Sequence, residues 1–162
     1  MATRVPLVIV NGQVERLQAG DDILAPTATL NIRTVTNGES SAALVIGAPA
    51  YVSAAGTVKH AQANAVSTAD ALGLMVSTST AAGASGTIGV GGTLVATTTQ
   101  WDAVTGQTGG LTSGSRYYVD PSTAGKLTAT PPDTTGQVLI CMGKALSTTE
   151  MEVDPSDYPI LL

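Results

Sequence analysis

The chain has 162 residues, which suggests one domain, with room for a sizeable apolar core that needs neither disulfides nor a metal. Charged residues are 12% of the chain, about half the usual share, and the net charge is −5. The seven Lys and Arg never cluster, which argues against a nucleic-acid partner, and no apolar run reaches the ~18 residues of a membrane-spanning helix.

The first element in chain order is a hairpin. Asn11-Gly12 separates Val8-Ile9-Val10 from Gln13-Val14-Glu15-Arg16-Leu17, and a two-residue type I′ turn needs the positive φ that Asn and Gly tolerate. Gly20-Asp21-Asp22 ends this ribbon, and a two-stranded ribbon alone is marginal in water, so it needs a surface to pack on. A strand follows over Thr27–Thr36, where Ala28, Leu30, Ile32 and Thr34 alternate with polar residues at period two.

From Ala43 onward, short apolar runs recur every eight to twelve residues or so, each closed by Gly, Pro, Ser or Thr. Strands are predicted near Ala43–Ile46, Ala50–Val52, Val58–Ala61, Leu72–Ser77, Thr87–Val90, Thr93–Ala96, Tyr117–Asp120, Leu127–Thr130, Val138–Met142 and Glu150–Val153. Gly89–Gly92 is predicted to be a hairpin turn between two of them. One short helix is predicted at Thr97–Val104, with hydroxyl N-cap candidates before it and Thr105-Gly106 as its stop. Thr68–Leu72 has the composition of a single helical turn at most, and Ser77–Ala84 and Thr105–Ser115 read as exposed loops. The expected fold is all-β: a compact β-sandwich or β-barrel-like domain of many short antiparallel strands, with at most one short helix. Residues 1–38 form an N-terminal hairpin arm and linking strand, and residues 39–162 the main β domain with a short C-terminal tail.

Chemistry is scarce. His60 is the only histidine and sits in a strand among small residues, without a nucleophile or co-ligands to work with. Cys141 lies in an apolar run, Val138–Met142, and is expected to be a buried thiol. The glycine-rich stretches at 83–86 and 89–92 lack the Lys and following helix of a phosphate-binding loop. Asp21-Asp22 and the carboxylates Glu150, Glu152, Asp154 and Asp157 do not have calcium-loop spacing, which leaves only a shared ion at a subunit interface as an option. No catalytic residue, cofactor site or metal site is expected.

The stretch Trp101-Asp102-Ala103-Val104-Thr105-Gly106, then Gly109-Gly110-Leu111-Thr112-Ser113-Gly114-Ser115-Arg116-Tyr117-Tyr118, resembles a pattern of tailed-bacteriophage virion proteins. It continues through Gly125-Lys126-Leu127-Thr128, Pro131-Pro132 and Gly143-Lys144-Ala145-Leu146, and Val10–Asp21 resembles the lead-in segment of the same group. In that group the pattern marks a β-domain of capsid decoration (cement) proteins, head fibres and tail fibres. The resemblance implies a non-enzymatic homotrimer on the exterior of a virion capsid, with the major capsid protein as its partner. A chain that begins at Met1 and closes on Pro159-Ile160-Leu161-Leu162 is expected to be complete and compact, which fits decoration better than a long fibre. The alternative is a tail-fibre, head-fibre or baseplate module that adheres to a host-surface glycan. The candidate subunit or capsid contacts are Val8, Ile9, Val10, Leu17, Trp101, Tyr117, Tyr118, Ile160, Leu161 and Leu162. The two terminal segments, Met1–Asp22 and Asp154–Leu162, are the expected arms.

Overall fold

The computed structural model describes residues 30–162 and, before them, the backbone of two paired strands, β1 (Leu7–Val10) and β2 (Gln13–Arg16). These two run antiparallel with Val10 opposite Gln13 and Leu7 opposite Arg16, as a hairpin should. The Asn11-Gly12 turn, Leu17, the acidic pair Asp21-Asp22 and the start of the strand expected from Thr27 lie outside the described residues, as do the side chains of Val8, Ile9 and Val10.

The body is all-β and is organised around one long strand. In chain order it comprises β3 (Asn31–Asn37), β4 (Leu44–Val45), β5 (Pro49–Ala54), β6 (Thr57–His60), α1 (Val66–Ala69), β7 (Ala71–Met75), β8 (Ser79–Thr80) and β9 (Ser85–Val95). Then come α2 (Thr98–Thr105), β10 (Arg116–Val119), β11 (Leu127–Thr128), β12 (Val138–Leu139), β13 (Cys141–Ala145), β14 (Glu150–Val153) and β15 (Ile160–Leu161). The main sheet runs β11-β10-β13-β14-β9-β3-β6-β5-β7, and β7 pairs back onto β9. The last five strands therefore close into a small barrel, while β9 also carries the first four as an open sheet. Every pairing is antiparallel except β3 with β6, which is parallel.

Strand β9 departs from expectation. Residues 85–95 form one continuous strand through Gly89, Gly91 and Gly92, where the sequence suggested a hairpin. Gly89 serves close packing instead, Gly92 takes φ 96°, a left-handed conformation that favours glycine, and a register shift against β3 falls between Gly89 and Gly91. Leu30 rests on Gly89, where a Cβ would come within 2.9 Å of the leucine side chain. A Cβ on Gly73 of β7 would press into the Gly89 carbonyl, so both glycines let β7, β9 and Leu30 meet at the barrel seam. Glycine doublets read as turns when only the local chain is considered; here tertiary proximity removes the side chains.

Each half has its own core. Val35, Leu44, Ala50, Val58, Met75 and Ile88 fill the barrel. The larger core lies under the open sheet and α2, with Leu94, Trp101, Leu111, Tyr117, Leu127, Ile140, Met142 and Met151 all buried. Strand β3 belongs to the barrel wall, between β9 and β6, so residues 31–37 are part of the main body and not of a linker. The barrel and open sheet are stitched together by backbone bonds: Ala63 N–H to Asp120 O (3.1 Å), Gly125 N–H to Ala61 O (2.8 Å) and Val138 N–H to Ala63 O (2.9 Å).

Candidate functional site

The aromatic and glycine-rich pattern at 97–118 turns out to be architecture. Thr97 caps α2: its hydroxyl accepts from Gln100 N–H (3.2 Å) and the Gln100 side chain accepts from Thr97 N–H (2.8 Å), a reciprocal capping box. Gly106 ends the helix at φ 68°, a left-handed conformation that glycine adopts without Cβ strain. The Asp102 carboxylate then accepts from Gly109 N–H (3.1 Å) and Gly110 N–H (2.6 Å), folding the loop back on the helix. Gly110 sits so close to the Thr148 carbonyl and the Thr98 methyl that no side chain fits there.

Trp101 and Tyr117 are completely buried and so are unavailable to a partner, which corrects their place among the expected contacts. Trp101 donates from Nε1 to Thr149 O (3.0 Å), and its ring lies against Gly47, where a Cβ would approach to 2.9 Å. It thus joins α2, the loop before β5 and the turn before β14. Tyr117 Oη donates to Gln107 Oε1 (2.7 Å) and accepts from Thr112 N–H (2.9 Å), which locks the glycine loop. A large aromatic with its polar tip satisfied is a core anchor. Tyr118, its neighbour on the opposite face of β10, is half-buried.

The C-terminal segment behaves differently. Strand β15 pairs with β12, Leu161 opposite Val138 and Ile160 opposite Leu139, and Leu162 N–H donates to Gln137 O (3.0 Å). Its backbone therefore has a home within the chain, unlike the free arm expected from sequence. Its side chains do not: Tyr158 is 81% exposed, Leu161 62% and Ile160 56%, with Leu162 beside them. Four large apolar side chains are thus exposed within residues 158–162, with Ile160 and Leu161, as strand neighbours, on opposite faces of the ribbon. Ile160, Leu161 and Leu162, expected from sequence as subunit or capsid contacts, are exposed, as is Tyr158, which the sequence did not single out.

Three other features complete the surface. An open groove of about 510 Å³ lies between α1, the β5 and β7 strands and the segment before β15, lined among others by Tyr51, Ser67, Asp70, Ser156 and Asp157. A second hollow of about 360 Å³ opens into the barrel wall beside β3. His60 on β6 is held by Glu39, whose Oε1 accepts from the His60 N–H (2.9 Å) and lies 3.2 Å from its Nδ1. The imidazole packs on Gly125, so the pair braces the Asp120–Gly125 loop.

Cys141 is half-buried, not fully buried, because the strand expected over Val138–Met142 breaks at Ile140 into β12 and β13. Arg116 Nη1 approaches its Sγ at 3.9 Å. Glu150 and Glu152 share the outer face of β14, and Glu152 accepts from the Thr93 hydroxyl (3.0 Å). Among the described residues, no three His, Cys, Asp or Glu side chains converge as metal ligands, and no helix is long and apolar enough to cross a membrane. Exposed Ile32 and Val52 were not anticipated: each sits in a barrel strand whose outward face cannot be told from the inward one until the barrel closes.

No family model matches this chain, and no curated protein matches it.

Proposed function

We propose that this chain is a non-enzymatic structural protein that attaches to the outside of an assembled bacteriophage capsid and reinforces it, acting as a homotrimer. The observation that carries this is the C-terminal ribbon, whose backbone is paired to β12 while Tyr158, Ile160, Leu161 and Leu162 face outward. Apolar side chains on a backbone-anchored strand present a preorganised surface, so little ordering entropy opposes binding. The resemblance of residues 101–149 to decoration and fibre β-domains supports the same role, since those residues build the rigid sheet behind the ribbon.

Reinforcement follows from linkage. A protein that binds only the assembled shell stabilises it in proportion to its concentration over its dissociation constant. The major capsid protein is the partner in this proposal, and the charge-poor surface makes the contact one of apolar burial and backbone pairing rather than ion pairing.

The test is co-sedimentation of the purified protein with DNA-free shells of the phage that encodes it. Saturable binding at a fixed number of copies per shell, lost on Leu161→Asp, is the expected result. Absence from shells, or density for the chain only at the tail in a reconstructed particle, overturns the proposal. The groove at Tyr51 favours a second reading, a host-surface adhesion module. A half-buried tyrosine with Asp70, Asp157 and two serine hydroxyls suits a saccharide, and a glycan array separates the two readings.

A further inference from the structure

The barrel wall is incomplete along one edge. Backbone groups of β3 alternate between its two neighbours: Thr36 N–H donates to Gly56 O (2.8 Å) and Gly38 N–H to Val58 O (2.8 Å), while Asn37 N–H turns the other way, to Ala84 O (2.9 Å). Continued backward along the strand, that alternation aims the N–H and C=O of Thr34 and Ile32 toward the side where β6 would be. β6 does not extend that far. It begins at Thr57, opposite Thr36, and the chain before it turns away through Gly56 into β5. Residues 31–34 are exposed, Ile32 at 54%, and the hollow of about 360 Å³ lies alongside, with Arg33 on its rim and Val35, Val52, Val58 and Leu72 in its walls. An open strand edge beside an apolar hollow is the geometry of strand addition: main-chain bonds supply affinity, and a side chain fills the hollow.

We propose that this edge, at Ile32 and Thr34, receives the N-terminal hairpin Leu7–Arg16 of a second copy of the chain as an added strand. Among the described residues the hairpin forms a two-stranded sheet of its own. Its first strand, Leu-Val-Ile-Val, supplies β-branched apolar residues for the hollow, and its second carries Glu15 to meet Arg33. Residues 17–29 reach up to about 45 Å when extended, far enough to deliver it to a neighbouring copy. Each copy donates one hairpin and accepts one, a head-to-tail contact that closes into a ring when the rotation between copies permits, as a threefold does. The exchange needs no shell, so it stands or falls separately from capsid attachment.

Complementation tests it in the full-length protein. Thr34→Pro removes an edge N–H that the β9 ladder does not use, and Ile9→Pro disables the donated strand. Sedimentation velocity should show the wild type as an oligomer and each variant dissociating at about tenfold lower dilution factor or more. An equimolar mixture should form a heterodimer, since one copy keeps its hairpin and the other its edge. Arg33→Glu and Val10→Lys replace the prolines if circular dichroism shows either variant unfolded. A monomeric wild type, variants that assemble like the wild type, or variants that fail to complement each overturn the proposal; the last would mean that the hairpin folds onto its own chain.

Discussion

Gly73→Ala is the sharpest test of barrel closure. Gly73 has no left-handed φ, so alanine meets no backbone objection, and in an ordinary strand the exchange would add about 0.5–1 kcal/mol of stability. Here the new Cβ would lie well inside contact distance of the Gly89 carbonyl oxygen and carbon, both backbone atoms that cannot swing aside. Strands β7 and β9 would have to part by roughly 1 Å, which weakens the Leu74–Gly89 and Met75–Ile88 pairs. Losing two ladder contacts at about 1 kcal/mol each, plus packing strain of similar size, gives about 2–4 kcal/mol of destabilisation. For a chain of this length that lowers the melting temperature by about 5–15 °C. Gly91→Ala is the matched control: it lies on the same strand as Gly89, its nearest non-neighbour atom is 4.0 Å from the added Cβ, and it should be neutral or slightly stabilising. Urea and thermal unfolding followed by circular dichroism measure both. A Gly73→Ala protein within about 0.5 kcal/mol of the wild type would show that β7 does not close the barrel on β9.

Thr80 carries a buried hydroxyl without a hydrogen-bond partner, so Thr80→Val should leave stability unchanged or raise it by about 1 kcal/mol in urea unfolding. Thr97→Ala removes half of the capping box and should cost about 1 kcal/mol, read as a lower denaturation midpoint at unchanged slope. Leu161→Asp touches an exposed side chain; it should change stability by less than about 0.5 kcal/mol while abolishing retention on shells in co-sedimentation.

Much of the local structure was legible in the residues. The capped helix after Thr97 with its stop at Gly106, the hairpin pairing of Leu7–Val10 with Gln13–Arg16 and the strand Glu150–Val153 all follow from short-range chemistry: caps, turn residues and period-two alternation. Single helical turns stand at the margin of such reasoning, and the one near Thr68 sits at Val66–Ala69. Period-two alternation puts Tyr117 and Tyr118 on opposite faces of β10, but which of them is inward depends on what the sheet packs against.

What composition and pattern settled is an all-β body with few charges, because β-branched residues, glycine turns and alternation act over a few residues at a time. What only the tertiary structure decided is where those strands meet. β9 continues through Gly89, Gly91 and Gly92, with an irregular register against β3, and Gly89 lacks a side chain because β7 and Leu30 press against it, a contact between segments far apart in sequence. Trp101 is withdrawn from the surface by Gly47 and Thr149, β15 finds β12, and the edge of β3 stays open because β6 starts too late to cover it. Each is a long-range pairing, and a strand's own residues do not encode which neighbour, or which gap, it will lie beside.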